Sequence, residues 1–266
     1  MEFTVKGPAT TLVGCDVGDG PALVVAVGSG STRAQSAPIF ASLGSNIRTV
    51  SADYRGMGCS GDAPGPWTMA DYAADLLAIF DERGLEDAHL FGISFGGMVA
   101  LEFAVTHPER VRRLALWCTS AGGALGSSYP LHTVENLPPR ERDLMRLRLV
   151  DSRFDPEWLA SHDNDRRLVQ ARIAPPVDGV VVAETPAYRL QLAARAGHDV
   201  SERLGALGME VLLGGGRHDM LAPPSNIEAL AGALRRPRIE WYEGGHLFFF
   251  QDHRCWDDLR SFFDAP

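Results

Sequence analysis

The stretch Leu90-Phe91-Gly92-Ile93-Ser94-Phe95-Gly96-Gly97-Met98-Val99-Ala100 sets one serine between two glycines, in a G-x-S-x-G pattern. An apolar, strand-like run leads in, and a run of apolar and small residues at helical spacing leads out. Such a serine can sit on a turn too tight for larger neighbours, which lifts its hydroxyl clear of a sheet. The same turn sets a backbone N–H, that of Phe95, beside the place where an attacked carbonyl oxygen becomes negative. A bare G-x-S-x-G arises by chance. The strand-turn-helix setting is what makes Ser94 a candidate nucleophile.

Working outward, the partners such a serine needs stand downstream. The apolar strand Met209-Glu210-Val211-Leu212-Leu213 runs into Gly214-Gly215-Gly216-Arg217-His218-Asp219, followed by Ala222-Pro223-Pro224. An aspartate in a loop at a strand end can accept a hydrogen bond from a histidine and fix its tautomer. A second strand, Arg238-Ile239-Glu240-Trp241-Tyr242-Glu243, ends in Gly244-Gly245-His246-Leu247. His246 would take the proton from Ser94 and return it to a leaving group, while Asp219 holds the ring. Taken singly, the Asp reads as a turn residue and the His as packing. Serine, aspartate and histidine, each at a strand end and in that order, point to a catalytic triad.

Nearly all of the chain resembles the α/β-hydrolase family. Asp53-Tyr54-Arg55-Gly56-Met57-Gly58-Cys59-Ser60 is similar to its D-x-R-G-x-G-x-S loop, and His107-Pro108-Glu109-Arg110-Val111 to the segment after its nucleophile helix. Gly244-Gly245-His246 follows the family's G-x-G-H neighbourhood with Glu243 at the first glycine. Gly197-His198-Asp199-Val200 and Glu243-Gly244-Gly245-His246 resemble bacterial 3-oxoadipate enol-lactonases, and a second likeness is to aclacinomycin-type methylesterases. The family commonly has His-Gly after its third strand. Here Leu23-Val24-Val25-Ala26 leads into Val27-Gly28-Ser29-Gly30, with Val27 in that place, as in methylesterase-like relatives. The donor implied there is a backbone N–H, that of Ser29. Ser29 and Phe95 are thus the expected oxyanion hole, and losing one such donor costs roughly 3–4 kcal/mol of transition-state stabilisation.

Gly28-x-Gly30, a following helix and Asp53 at the next strand's end also imitate a dinucleotide-binding unit. Arg33 occupies the third glycine's place, and strand-like Glu2–Val5 and Thr11–Val17 precede the motif, so that reading is set aside.

Composition agrees with one soluble α/β domain. The 266 residues are 45% hydrophobic and 22% charged, enough to build a core. A formal net charge of −9 opposes nucleic acid or an anionic membrane surface as partner. No apolar run approaches the ~20 residues that span a bilayer. Met1-Glu2-Phe3-Thr4-Val5-Lys6 has no secretion-signal pattern, and Cys15, Cys59, Cys118 and Cys255 are scattered without a C-x-x-C pair. The expectation is a cytoplasmic protein without disulfides. Lys6 is the only lysine among 25 basic residues, a bias associated with GC-rich bacterial genomes.

Strands alternate with helices, which implies a mostly parallel sheet covered on both faces. Asn46–Val50 reads as the fourth strand, Ala88–Phe91 as the fifth and Arg113–Cys118 as the sixth. Thr68 caps a helix through Tyr72, Leu76, Leu77 and Phe80, with Asp71 completing a shortened capping box. From about Ala121 to Leu204 the alternation breaks into helices: one after Pro138-Pro139, one capped by Asp155, one over Asn164–Ile173 and one over Thr185–Ala196.

The expected architecture is an α/β-hydrolase fold with an eight-stranded sheet. Residues 1–120 and 205–266 form the core, and 121–204 a helical cap inserted after the sixth strand, read as a lid over Ser94. Gly28, Trp117, Trp158, Leu190 and Leu247 are the candidate substrate contacts. His218 reads as a loop residue, His198 as the hinge where the cap returns, and Cys118 as packing. No cluster has metal-ligand spacing, and no metal or cofactor is implied. The expected activity is that of a cofactor-independent serine hydrolase cleaving a small carboxylic ester or lactone through an acyl-enzyme. Serine at the elbow opposes dehalogenase and epoxide-hydrolase chemistry, for which the resembling family members use aspartate. Alternatives are perhydrolysis, C–C cleavage or a biosynthetic cyclisation, and, from another class, a small-molecule receptor on the same fold.

Overall fold

The computed structural model describes residues 1–41, 43, 46–134, 136–173 and 185–264. Its centre is an eight-stranded sheet made of β1 (Glu2–Lys6), β2 (Thr11–Val17), β3 (Ala22–Ala26), β4 (Arg48–Ala52), β5 (Ala88–Ile93), β6 (Val111–Trp117), β7 (Glu210–Gly216) and β8 (Pro237–Tyr242). The spatial order is β1-β2-β4-β3-β5-β6-β7-β8. β1 and β2 pair antiparallel, β2 pairs antiparallel with β4, and all later pairs are parallel. β1, at the edge, alternates buried and exposed residues, whereas β5 is buried at every position. That contrast is expected of a strand with one wet face against one covered on both.

The chain moves one way along the sheet from β3 to β4, then reverses from β4 to β5 and continues to β8. Right-handed crossovers therefore place α1 (Arg33–Ala41) on one face and α2 (Met69–Glu82), α3 (Phe95–Thr106) and α9 (Pro224–Ala233) on the other. α10 (Arg254–Asp264) covers the face opposite α9: a Cβ on Gly214 would strike Trp117, which packs on Trp256, while one on Gly215 would come within 3.3 Å of Ile227. Thr68 caps α2 as expected, its Oγ1 accepting from the Asp71 amide while Asp71 Oδ2 accepts from the Thr68 amide.

Between β6 and β7 lie α4 (Leu131–Val134), α5 (Pro139–Val150), α6 (Pro156–Ser161), α7 (Asp163–Arg172) and α8 (Pro186–Ala196). Asp155 caps α6 by accepting from the Trp158 amide at 2.8 Å. The insert leaves and rejoins the core at one point, where Gly122 bridges Asp199 and the Val200 amide donates to the Ala121 carbonyl. Several strand ends differ from expectation: β4 runs on to Ala52, β5 to Ile93, and β6 already begins at Val111. β4 begins at Arg48, because Asn46 and Ile47 form the turn packed on Gly18 and Gly20. β6 ends at Trp117, because Cys118 takes φ 44 and leaves the sheet.

Candidate active site

The sheet's direction of winding reverses between β3 and β5, and in open α/β sheets the crevice at such a point receives ligands. Ser94 follows β5 and the Val27–Gly30 loop follows β3, so both stand at the carboxyl ends flanking that point. Ser94 adopts φ 55 and ψ −116, a backbone conformation that costs a residue with a Cβ on the order of 1–3 kcal/mol. Hydrogen bonds over-determine it. Its amide donates to the Trp117 carbonyl at 2.8 Å, and its carbonyl accepts from Thr119 Oγ1 at 2.8 Å and from the Gly97 amide at 2.9 Å. The glycines of the motif are steric requirements. A Cβ on Gly92 would lie 2.5 Å from the Gly96 carbonyl oxygen, and one on Gly96 would lie 2.0 Å from that of Ala26.

Asp219 and His246 arrive from the loops after β7 and β8. His246 Nδ1 lies 2.8 Å from Asp219 Oδ2, and its Nε2 lies 3.0 Å from Ser94 Oγ. An ionised carboxylate only accepts, so in the neutral ring Nδ1 carries the proton and Nε2 is free to accept from the Ser94 hydroxyl. Asp219 is itself fixed, its other oxygen accepting from the Leu221 and Ala222 amides at 2.8 Å each. The two glycines before His246 have separate uses. Gly244 takes φ 128, and a Cβ on Gly245 would lie 2.0 Å from the Val150 carbonyl oxygen at the end of α5. Glu243, which departs from the family's glycine, accepts from Arg153 at 2.7 Å and lies 3.0 Å from His218 Nε2. His218 is thus bonded to its own loop and not to Ser94.

The Phe95 amide opens α3, where no carbonyl four residues back lies within the helix to accept it. The helix's partial positive end also points toward Ser94. Gly28 packs beside Ser94, and a Cβ there would lie 3.9 Å from the serine Cβ. Ser29 follows it, and the loop is tied at both ends: Tyr54 Oη donates to the Val27 carbonyl at 2.9 Å, and the Gly30 amide donates to Gln191 Oε1 at 2.8 Å. The rigidity that a histidine at position 27 would help supply comes instead from Tyr54 and Gln191. Neither was among the candidate residues. Tyr54 lies inside the D-x-R-G-x-G-x-S loop, and Gln191 shows one signal, a polar side chain in register with Ala187 and Ala194 on the buried side of α8.

Two candidate substrate contacts are corrected. Trp117 is fully buried and packs on Phe91, Phe248 and Trp256, on the α10 side of the sheet, so it is core and not pocket wall. Trp158 has its ring stacked on His162 at 3.6 Å and the Arg153 guanidinium over it at 4.9 Å, while its Nε1 donates to Asp165. No ring face is left for a substrate. Leu190 closes over Gly65, and Leu247 is half-buried against the core beside His246. Phe248 and Phe249 are buried core residues, as is the ring of Phe95.

Donor atoms of Cys118, Asp219 and His246 lie within 4.8 Å of one another, the one group with metal-ligand proximity among the described residues. Burial, and then the Asp219 charge, push the Cys118 thiol well above its ordinary range. It stays protonated, and the thiolate is the form that attacks carbonyls or binds metals. Asp53, the acid of the apparent dinucleotide motif, is also taken: it accepts from the Arg33 amide at 2.7 Å and the Cys59 amide at 3.0 Å. Burial holds His198, at the root of the insert, down to about 4.

This architecture matches known proteins. Residues 21–165 match the family model for the alpha/beta hydrolase fold. A protein from Azorhizobium caulinodans named as the carbamate hydrolase RutD is 26% identical over 237 residues, covering 87% of this chain and 86% of the relative. The 2-hydroxymuconate semialdehyde hydrolase of Pseudomonas putida is 30% identical over 218 residues, covering 80% of this chain and 72% of that protein. The crystal structure of an enol-lactonase from Burkholderia xenovorans superposes with a TM-score of 0.77 at 20% identity, covering 98% of this chain and 97% of its own. The chain belongs to the alpha/beta-hydrolase fold family and is a hydrolase of that fold.

Proposed function

We propose that this protein is a cofactor-independent serine hydrolase that cleaves a small carboxylic ester or lactone through an acyl-enzyme. The observation that carries the reading is the continuous chain from Asp219 Oδ2 to His246 at 2.8 Å and from His246 to Ser94 Oγ at 3.0 Å, ending on a serine held at φ 55. Ser94 Oγ attacks the carbonyl carbon as its proton passes to His246 Nε2, and the imidazolium is stabilised by Asp219. The Phe95 and Ser29 amides bind the oxyanion. Collapse of the tetrahedral intermediate expels the alkoxide, which takes the proton from His246. A water activated by the same ring then attacks the acyl-enzyme and frees the acid and Ser94. Residues 121–204 act as the lid, with Gly28, Leu190 and Leu247 against the substrate.

A fluorophosphonate should label Ser94, and Ser94→Ala should lose the label and lower ester turnover on the order of 10⁴-fold or more. Labelling at Cys118, or unchanged turnover in the variant, would overturn the reading. The likeness to a 2-hydroxymuconate semialdehyde hydrolase favours C–C cleavage as the second reading. A panel of esters, thioesters, lactones and diketones separates the two, since only C–C cleavage requires His246 to protonate a carbon leaving group.

A further inference from the structure

The loop after β3 reverses within four residues. The Ser31 amide donates to the Gly28 carbonyl at 3.2 Å, and Gly30 takes φ 72, the left-handed value that the third residue of a type II turn requires. Glycine adopts either sign of φ, so the central peptide, from the Ser29 carbonyl to the Gly30 amide, is able to turn over. One bond opposes this. The Gly30 amide is buried and donates to Gln191 Oε1 at 2.8 Å. Turned over, the same peptide would present the Ser29 carbonyl to that oxygen, acceptor against acceptor. Gln191 reaches the turn from α8, where Ala187, Leu190 and Gln191 share one face. The first two lie against the loop after β4: a Cβ on Gly56 would lie 2.8 Å from the Ala187 Cβ, and one on Gly65 would lie 2.6 Å from Leu190. Gln191 is fully buried, yet its Nε2 has no hydrogen-bond partner among the described residues. The Gly30 amide can bond only the oxygen of that side chain, so the unpaired atom is the amide nitrogen. An orphaned buried donor costs at least as much as one ordinary hydrogen bond returns. The side chain therefore adds little to stability. What it adds is an orientation.

We propose that Gln191 is a positioning residue of the oxyanion hole: it holds the Gly28–Ser31 turn in one form, so that the Ser29 amide keeps its aim only while α8 is docked on the core. This rests on the hydrolytic reading, in which Ser29 binds the oxyanion, and deepens it, because the insert then sets the rate of the chemistry as well as covering the site. Tyr54, which donates to the Val27 carbonyl, belongs to the core and fixes the root of the loop; Gln191 fixes its tip. Without that tether the turn lifts or turns over, and the Ser29 amide, one peptide away, moves with it. Oxyanion stabilisation depends on donors that need no reorganisation at the moment of reaction. A turn that moves between two forms offers its donor only part of the time.

The test uses Gln191→Met, which removes the acceptor at similar volume, and Gln191→Glu, which keeps one. Gln191→Met should lower kcat for every ester by roughly tenfold to a hundredfold, short of the full loss of a donor, with KM and the urea midpoint unchanged. Gln191→Glu should recover most of that loss. A trifluoromethyl ketone reads the hole directly. Ser94 Oγ bonds its carbonyl carbon, the hydroxyl proton passes to His246, and the carbonyl π pair moves onto oxygen, giving a hemiketal oxyanion for the two amides to bind. Followed by carbon-13 NMR, that oxygen should take up its proton at a higher pH in Gln191→Met than in the wild type, by the factor lost from kcat. A merely structural side chain would move the urea midpoint and leave this titration alone. Deuterium exchange of the Gly30 amide needs no chemistry: it should be slow in the wild type and Gln191→Glu and fast in Gln191→Met. A wild type that forms no hemiketal but shows this exchange pattern would sink the hydrolytic reading and support the tether. Equal Gly30 exchange in all three proteins, or kcat and hemiketal titration unmoved by Gln191→Met, would overturn the positioning role while leaving phosphonate labelling of Ser94 untouched.

Discussion

The nucleophile helix α3 and the insert helix α7 are similar in length and opposite in construction. Ten residues of α3, from Phe95 to Ala104, are buried, and its glycines leave no room for a Cβ, Gly96 against the Ala26 backbone and Gly97 against the Thr119 side chain. α7 has no buried residue, and α5 has only Leu149. Shape holds the first region; charge and hydrogen bonds hold much of the second, through Arg153 to Asp151 and Glu243 and through Gln251 to Asp151 and Asp165. A close-packed region resists change, because a single methylene is felt. A polar, half-exposed one tolerates it. The proposed acyl chemistry therefore sits where sequence can vary least, and α5 and α7 are where it can vary most, with α8, which carries Leu190 and four buried residues, between the two.

The sharpest break in this contrast is expected at Asp219. Asp219→Asn should keep the fold but lower turnover of every ester on the order of 10⁴-fold, because the His246 ring loses the acceptor that sets its tautomer. Steady-state kinetics on several esters checks this, and a loss confined to some of them would place Asp219 in recognition instead. Next comes stability. Trp117→Ala, in the aromatic core under β6, should cost about 3–5 kcal/mol in urea unfolding. A cost near that of an exposed residue would mean that the core is looser than its packing.

Acid should then act on the junction of the two regions. His198 stands at about 4 folded against 6.5 free, with Glu102 and Asp199 opposing its burial and Arg203 adding to it. The unfolded chain thus takes up the proton first. Stability is complete above pH 6.5, falls as pH drops, and loses up to roughly 3 kcal/mol by pH 4 through this group. His89, also held at about 4 by burial, contributes in the same direction. His198→Gln should flatten part of the slope of unfolding free energy against pH, and an unchanged slope would remove His198 as its source. The smallest effect is expected at Trp158. Trp158→Ala removes a cation–π contact, a ring stack and the Nε1 bond to Asp165, each worth about 1 kcal/mol or less at this half-exposed site, so thermal unfolding should move less than at Trp117. A loss as large as that at Trp117 would erase the contrast between core and insert.

How far the sequence could be read follows the same division. Ser94, Asp219 and His246 were legible because each sits on a backbone turn that demands glycine or a strand end, and such demands are local. The sheet was legible from alternating periodicities. The face of a residue within β6 was not. Leu114-Ala115-Leu116-Trp117 is apolar throughout because a parallel strand is covered on both sides, so the pattern could not say which side Trp117 joins. Gln191 was illegible for another reason, since its partner Gly30 is 161 residues away and neither residue advertises the contact. Trp158 read as an apolar wall, yet its neighbours Arg153 and His162 occupy both ring faces. Helix α10 is missing from the sequence-derived elements although Cys255, Trp256, Leu259, Phe262 and Phe263 recur at helical spacing and are all buried.

The bond from the His246 amide to the Val150 carbonyl has a consequence for anyone who would transplant the insert. Cut at its two ends, near 121 and 204, the insert looks like a cassette. Yet its α5 terminus is the shelf on which the histidine loop rests, reinforced by Arg153 on Glu243 and by the Asp151 backbone against Gly245. A graft from a relative would carry a new shelf of its own, at a height unmatched to this loop. The Ser94-to-His246 distance would then drift before any substrate was offered. A workable chimaera keeps Val150, Asp151 and Arg153 from the recipient and exchanges the segments on either side, so that the seam runs through the insert and not around it.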